Sequence, residues 1–174
     1  MREGINYEII SKKPTPDSDN TTEYAGVRIF PKDSKNQTID IHNLYIPPIN
    51  ESNIDDDCTH KWNTSHLPTS ENTFIFSDTN CHGSWDSRLR STPMSDDWDS
   101  WMTENNFSAL NKHDSYTRKS VKGELSSPDV TIVPSQWLSK TSWSALTKHP
   151  GGSDHIPLLI KIRLNKHSSR REPK

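Results

Sequence analysis

The segment TFIFSDTN, residues 73–80, constrains the fold of this chain more than any other. Phe74, Ile75 and Phe76 form a continuous apolar run, which fits a central strand covered on both faces, and the chain turns polar at once at Ser77. A sheet with cover on both sides is therefore expected, with Asp78 and Asn80 at the C-terminal end of one of its strands. Further strands follow from alternation. TIDIHNLYIPP sets Ile39 and Ile41 between Asp40 and His42, the period-2 signature of a half-buried strand, and Pro47 and Pro48 stop it, so the strand ends at Tyr45. Residues 7–10 and 23–30 read as strands joined by a polar hairpin loop holding Pro14, Pro16, Asp17 and Asp19. SSPDVTIV gives a strand with Asp129 at its start, and TSWSAL (141–146) gives another. In IPLLIKIRL, Leu158, Ile160, Ile162 and Leu164 share one face, with Lys161 and Arg163 on the other.

One helix stands out. Trp98, Trp101, Met102 and Phe107 approximate helical spacing after Ser95-Asp96-Asp97, which predicts an amphipathic helix over 94–107, and ALN (109–111) opens a short strand after it. Residues 49–72 read as loop with room for a short helix. Strands separated by long loops, with one clear helix, make an α+β chain whose strand ends gather acidic and amide side chains.

The length of 174 residues fits one domain, over 1–164, followed by a basic tail or linker at 165–174 that carries no apolar residue. A hydrophobic fraction of 29% implies a thin core, for which the six tryptophans are the natural anchors; base stacking by one of them is the minority reading. With a formal net charge of −2, no global positive field advertises a polyanionic partner, and any phosphate-binding surface must be local. Cys58 and Cys81 are too few for a disulfide framework, and the N-terminus has no apolar core of signal-peptide length, so a nuclear or cytoplasmic protein is expected. No run approaches the roughly 20 apolar residues needed to span a bilayer, so no membrane partner is expected. Cys58, His60, Cys81 and His82 lack the ligand spacing of a zinc site.

Four segments place polar residues where a strand ends or begins: Tyr45 in LYIPP, Asp78 and Asn80 in FSDTN, Asp129 in SSPD, and Asp154 with His155 in GGSDH. Together they form a hydrolytic set. Phosphodiester cleavage needs a divalent ion to neutralise the phosphate, a group to activate water, and donors to hold the transition state. Each segment alone also reads as ordinary turn chemistry, since Gly-Gly-Ser-Asp and Asp-x-Asn are good turns.

The order LYIPP, FSDTNCHGSWDSR, YTRKSVKGELSSPDVTIV, GGSDHIPLLI resembles the endonuclease domain of non-LTR retrotransposons, within the exonuclease-endonuclease-phosphatase superfamily that includes DNase I-like and apurinic endonucleases. The resemblance spans roughly residues 38–164. It implies a two-sheet β-sandwich flanked by helices, and a Mg²⁺-dependent (or Mn²⁺-dependent) DNA endonuclease that nicks one strand, with a reverse transcriptase encoded downstream. It also implies roles: Asp78 activates the attacking water, Asn80 fixes Asp78 and the scissile phosphate, and Tyr45 donates to the phosphate or stabilises the leaving group. Asp154 would sit near the metal and hold His155, which binds the phosphate as its imidazolium and is oriented by Asp129. The metal would be held by Asp78, Asn80 and Asp154, with Thr117 and Arg118 at the DNA backbone. The sequence departs from the pattern in having Ser77 and Thr79 where Gly-Asp-Phe-Asn is usual. The pattern also has two strands bringing an Asn and a metal-binding Glu before the segment similar to REGINYEII. Glu3, Glu8 and Glu23 stand in another context, so the resemblance implies a domain without its first strands and lacking that ligand. The competing readings are an inactive remnant that at most contacts nucleic acid, and a phosphatase or lipid phosphodiesterase of the same superfamily.

Overall fold

A computed structural model of the chain describes residues 5–12, 22–32, 37–48, 63–86, 93–113, 115–148 and 152–164. Within them, six strands form the main sheet: β1 (Asn6–Ile10), β2 (Glu23–Phe30), β3 (Ile39–Tyr45), β4 (Thr73–Asp78), β5 (Phe107–Ala109) and β8 (Asp129–Pro134). Their order is β1-β2-β3-β4-β8-β5. A short hairpin is made by β6 (Arg118–Lys119) and β7 (Leu125–Ser126), and a second sheet by β9 (Thr141–Ala145) and β10 (Leu158–Ile162).

The apolar run of β4 does what its sequence demands. It lies between β3, which it pairs in parallel, and β8, which it pairs antiparallel, and Phe74 and Ile75 are fully buried. The parallel pair needs a long crossover, which residues 46–72 supply. Period-2 alternation then sends the two halves of the run to opposite layers. Phe74 joins Ile39, Val133 and Trp137 on one face, where Ile162 and Leu164 from the β10 end also pack and Trp143 of β9 donates from Nε1 to Thr131 Oγ1 (3.2 Å). Ile75 joins Leu44, Val130 and Ile132 on the other, beneath helix α1 (Pro93–Glu104) with Trp98, Trp101 and Met102. The result is an α+β arrangement in which the main sheet is covered by a second sheet on one side and a helix on the other. Five tryptophans, 85, 98, 101, 137 and 143, are buried; Trp62 lies outside the described residues.

Three expectations need adjustment. The helix covers Pro93–Glu104 and stops before Phe107, because Asn106 takes a left-handed φ of 59°, a conformation Asn tolerates, and breaks the helical run. Phe107 still packs on Trp101, but from the first position of β5, so the strand expected over 109–111 begins two residues earlier. In β3 two polar positions, Asp40 and His42, are buried along with Ile39 and Leu44, while Ile41 is only half-buried. Asp40 is held by the Arg28 guanidinium of β2 through Nε and Nη2 (2.7 and 2.8 Å), and His42 Nδ1 lies 3.1 Å from the Tyr24 hydroxyl. An inner strand satisfies buried polar groups from its neighbour, which alternation alone does not reveal. Burial pushes the His42 imidazole below its ordinary value.

Ser77 is buried on the α1 face with no partner for Oγ among the described residues. A buried unpaired hydroxyl carries a desolvation cost of roughly 1–3 kcal/mol, so Ser77→Ala is expected to raise stability by up to about 1 kcal/mol, read as a higher urea midpoint at unchanged m. A lower midpoint would mean that the hydroxyl is hydrogen-bonded in solution.

Candidate active site

The strand register assembles the site. Tyr45 pairs Asp78 across β3 and β4, and Asp78 pairs Asp129 across β4 and β8, so three side chains from distant sequence positions stand in one row on the face that carries the second sheet. Glu23 of β2 pairs Tyr45 on its other side and extends the row by one strand, a placement that no motif in the sequence indicates. Behind the row runs a cleft of about 470 Å³, lined by Asn43, Tyr45, Phe76, Asp78, Asp129 and Ile160 among others.

His155 meets this row from the β9–β10 side. Its Nδ1 lies 3.0 and 3.1 Å from the two oxygens of Asp129, and its Nε2 lies 3.9 Å from Asp78 Oδ2. Thr117 fixes the opposite side of Asp129: its fully buried hydroxyl donates to Oδ2 at 2.6 Å. Thr117 therefore acts inside the site as a brace for Asp129, whereas the resemblance would set it at the DNA backbone. Asp78, Asp129 and His155 bring one ligand atom each within 4.8 Å of one another. Burial, and then the Asp129 charge, push the Asp78 carboxyl above the ordinary aspartate value, opposed by His155 and by the Asn80 N–H.

The neighbouring residues divide between scaffold and surface. Asn80 sits at a left-handed φ of 47°, donates from its backbone N–H to Asp78 Oδ1 (3.2 Å) and from Nδ2 to the Ile46 carbonyl (2.9 Å). The Asp-x-Asn turn and the site are thus one structure, in which the turn aims the carboxylate. Asp154, although adjacent to His155, turns its carboxylate to Arg118 Nε at 2.8 Å, and that guanidinium holds its acidity below the usual carboxylate range. Asp154 does not belong to the trio of clustered ligand atoms. Arg118 and His155 form a bridge of antiparallel backbone pairing, supported by Lys119 N–H to the Asp154 carbonyl and Ile156 N–H to the Thr117 carbonyl. The β6–β7 hairpin is thereby tied to the histidine, and its tip, Val121, is fully exposed.

The conspicuous motifs also explain one another. Trp85 Nε1 donates to the Ser127 carbonyl and Asp86 accepts from the Ser127 N–H, so Trp-Asp clamps the strand start that carries Asp129. Where the resemblance has Phe, Thr79 is fully buried and gives both its N–H and its hydroxyl to the Pro128 carbonyl (2.9 and 2.7 Å), which settles the packing of that departure. Sequence reasoning missed Asn111, whose side chain bonds the backbone of β8 at Asp129 and Thr131. An isolated Asn at a strand end carries no signal of that role. Cys58 and His60 lie outside the described residues, while His82 pairs Asp86 at 3.4 Å.

No family model and no curated protein matches the chain. Among solved structures it superposes on the endonuclease domain of TRAS1, a telomere-specific non-LTR retrotransposon, with a TM-score of 0.68 over 93% of this chain and 70% of that one. The chain has the fold of that endonuclease domain. Sequence identity is 18%, so what the superposition carries is the DNase I-like α+β sandwich expected from the motif order. Tyr45, Asp78, Asp129 and His155 meet at strand ends on one side of that sandwich. No described helix is long and apolar enough to cross a membrane.

Proposed function

We propose that this cleft is the phosphate-facing side of a metal-dependent endonuclease site that nicks one DNA strand, as the TRAS1 likeness suggests, and that the 3′-OH it leaves primes a reverse transcriptase encoded with it. The observation that carries the reading is the Asp129–His155–Asp78 triangle, a histidine anchored through one nitrogen with its other nitrogen aimed at a carboxylate. A nitrogen donor fixed at Nδ1 leaves Nε2 as the reacting atom. Doubly protonated, His155 donates from Nε2 to a phosphate oxygen; Tyr45, next in the row, donates its phenol to the same group. Asp78, held by the Asn80 N–H, orients the attacking water and takes its proton.

The donor set suits a hard divalent ion. Mg²⁺ is commonly held by one or two carboxylates, its remaining positions filled by water and phosphate, and Asp78 supplies such a carboxylate. Bound there, Mg²⁺ or Mn²⁺ would neutralise the phosphate and polarise its oxygens. Asp129 is already engaged by His155 and Thr117, which leaves Asp78 as the carboxylate of the trio free for a cation. This feature favours a second reading, in which the chain holds DNA and cuts it only when a further ligand is supplied.

Supercoiled plasmid incubated with the protein and Mg²⁺ separates the two. Nicking is expected, abolished by EDTA, and slowed about 10²–10³-fold in His155→Ala and less in Tyr45→Phe. DNA retention in a mobility shift without nicking would select the second reading. Nicking that survives both EDTA and His155→Ala would overturn the assignment of the site.

A further inference from the structure

Asp129 begins β8, and the first residues of a strand at the end of a ladder are the easiest to fray. On one side β8 is paired by β4 as far as Asp78 opposite Asp129. On the other, the β5 ladder ends with Ala109 opposite Ile132, and Leu110 adds one more bond, from its N–H to the Thr131 carbonyl. Beyond that the backbone of residues 111–113 no longer pairs with β8. The Asn111 side chain takes over: Nδ2 donates to the Asp129 carbonyl at 2.8 Å and Oδ1 accepts from the Thr131 N–H at 3.0 Å. A primary amide presents a donor and an acceptor side by side, as a strand backbone does, so Asn111 prolongs the β5 ladder up to the site with a single side chain. The Asp129 N–H donates instead to Thr117 Oγ1, at 3.3 Å.

We infer that Asn111 is a positioning residue of the candidate site, acting through Asp129 to keep the His155 Nδ1 proton on the Asp129 carboxylate, in the neutral ring as in the doubly protonated one that donates from Nε2. This rests on the proposed function, since it assigns Asn111 to the same chemistry. The physical chain is short. Asn111 pins the carbonyl of Asp129 and the amide two residues on; those atoms fix where the Asp129 carboxylate projects; the carboxylate receives the His155 Nδ1 proton through two nearly equal contacts. Thr117 secures one carboxylate oxygen and takes the Asp129 N–H at 3.3 Å, while the Asp129 carbonyl is left to Asn111. Asp129 is the direct partner of the reacting histidine, a contact of the kind worth about 10–100-fold when deleted, and Asn111 acts through it.

Two readouts test it, one of them independent of any nuclease activity. Two-bond ¹H–¹⁵N spectra of the imidazole report which nitrogen of His155 carries the proton. With the ring neutral, the wild type is expected to show the Nδ1-protonated form, and Asn111→Ala a mixture of both tautomers. Plasmid nicking by Asn111→Ala should show kcat lowered about tenfold or more with KM within about twofold, because the substrate-facing surface is unchanged. Asn111→Asp keeps the size and the acceptor for Thr131 and sets a charged acceptor where the donor to Asp129 was; it should shift the tautomer in the same direction, and it serves if the alanine variant does not fold. Ser108→Ala, which removes the Ser108–Ser135 hydroxyl contact on the same strand, controls for loosening of β5 and should leave both readouts at wild-type values. Folded Asn111 variants with the wild-type tautomer, or a Ser108→Ala effect as large as theirs, would overturn the inference. Absence of nicking in the wild type would instead remove the functional reading, and the tautomer measurement would still decide the role of Asn111.

Discussion

Asp78→Asn is expected to abolish Mg²⁺-dependent nicking, by about 10³-fold or more, while raising the melting temperature at neutral pH by about 2–4 °C. The two effects have one cause. Burial and the nearby Asp129 push the Asp78 carboxyl above its ordinary value, so the ionised form, which the proposed function needs to activate water, is the form the fold disfavours. The amide is nearly isosteric and its oxygen still accepts the Asn80 N–H, so local geometry is kept while the charge is removed. The sign follows from linkage. In the folded state Asp78 binds its proton more tightly than in the unfolded chain, so its contribution is most favourable below the unfolded value and is lost as pH rises through the folded one. The stability gap between Asp78→Asn and wild type should therefore open as pH rises from acid to neutral. Activity should run the other way, with the acid limb of the pH–rate profile lying above the range of an ordinary carboxylate. Mg²⁺ should raise the melting temperature of the wild type and leave that of Asp78→Asn nearly unchanged, because a ligand stabilises only the state that binds it. Equal melting temperatures at every pH, or equal nicking, would remove Asp78 from its role.

What the sequence reveals of this site depends on how local each device is. Strand ends at Tyr45 and Asp78 are legible because Pro47 and Pro48 and the abrupt polar turn at Ser77 are local breakers. The meeting of Tyr45, Asp78 and Asp129 is not, since it depends on register between strands more than thirty residues apart in the chain, and nothing short-range encodes that β3 and β4 run parallel. The division of labour within Ser-Asp-His shows the same limit. Adjacent residues on an extended segment point to opposite sides, so Asp154 goes to Arg118 and His155 to Asp129. Sequence adjacency reads as a pair where the fold makes two separate contacts. Trp85, Asp86 and Asn111 fall between these cases: their types are visible, but their partners are backbone atoms of the Asp129 strand, which composition and spacing leave unmarked.

The site also depends on what lies behind it, which makes Trp98→Ala the most damaging substitution outside the cleft. Trp98 is fully buried, meets Trp101 edge-on with interplanar angle 79°, and belongs to the cluster that joins α1 to Ile75, Val130 and Ile132. Those residues alternate with Phe76, Asp78, Asp129 and Thr131 along β4 and β8, so the rear faces of the two strands that present the carboxylates rest on this helix. Truncating a buried tryptophan removes its transfer free energy and leaves a cavity, a loss of about 3–5 kcal/mol. In a chain with only 29% hydrophobic residues, few other contacts can collapse into the void. Against a total stability of roughly 5–15 kcal/mol, the urea midpoint should fall by about a fifth or more. Trp98→Phe, which leaves a smaller void, should recover about half of that. If Trp98→Ala costs less than about 1 kcal/mol, the α1 layer does not support the sheet, and the carboxylates of Asp78 and Asp129 must be held from the front alone, by Asn80, Thr117 and His155.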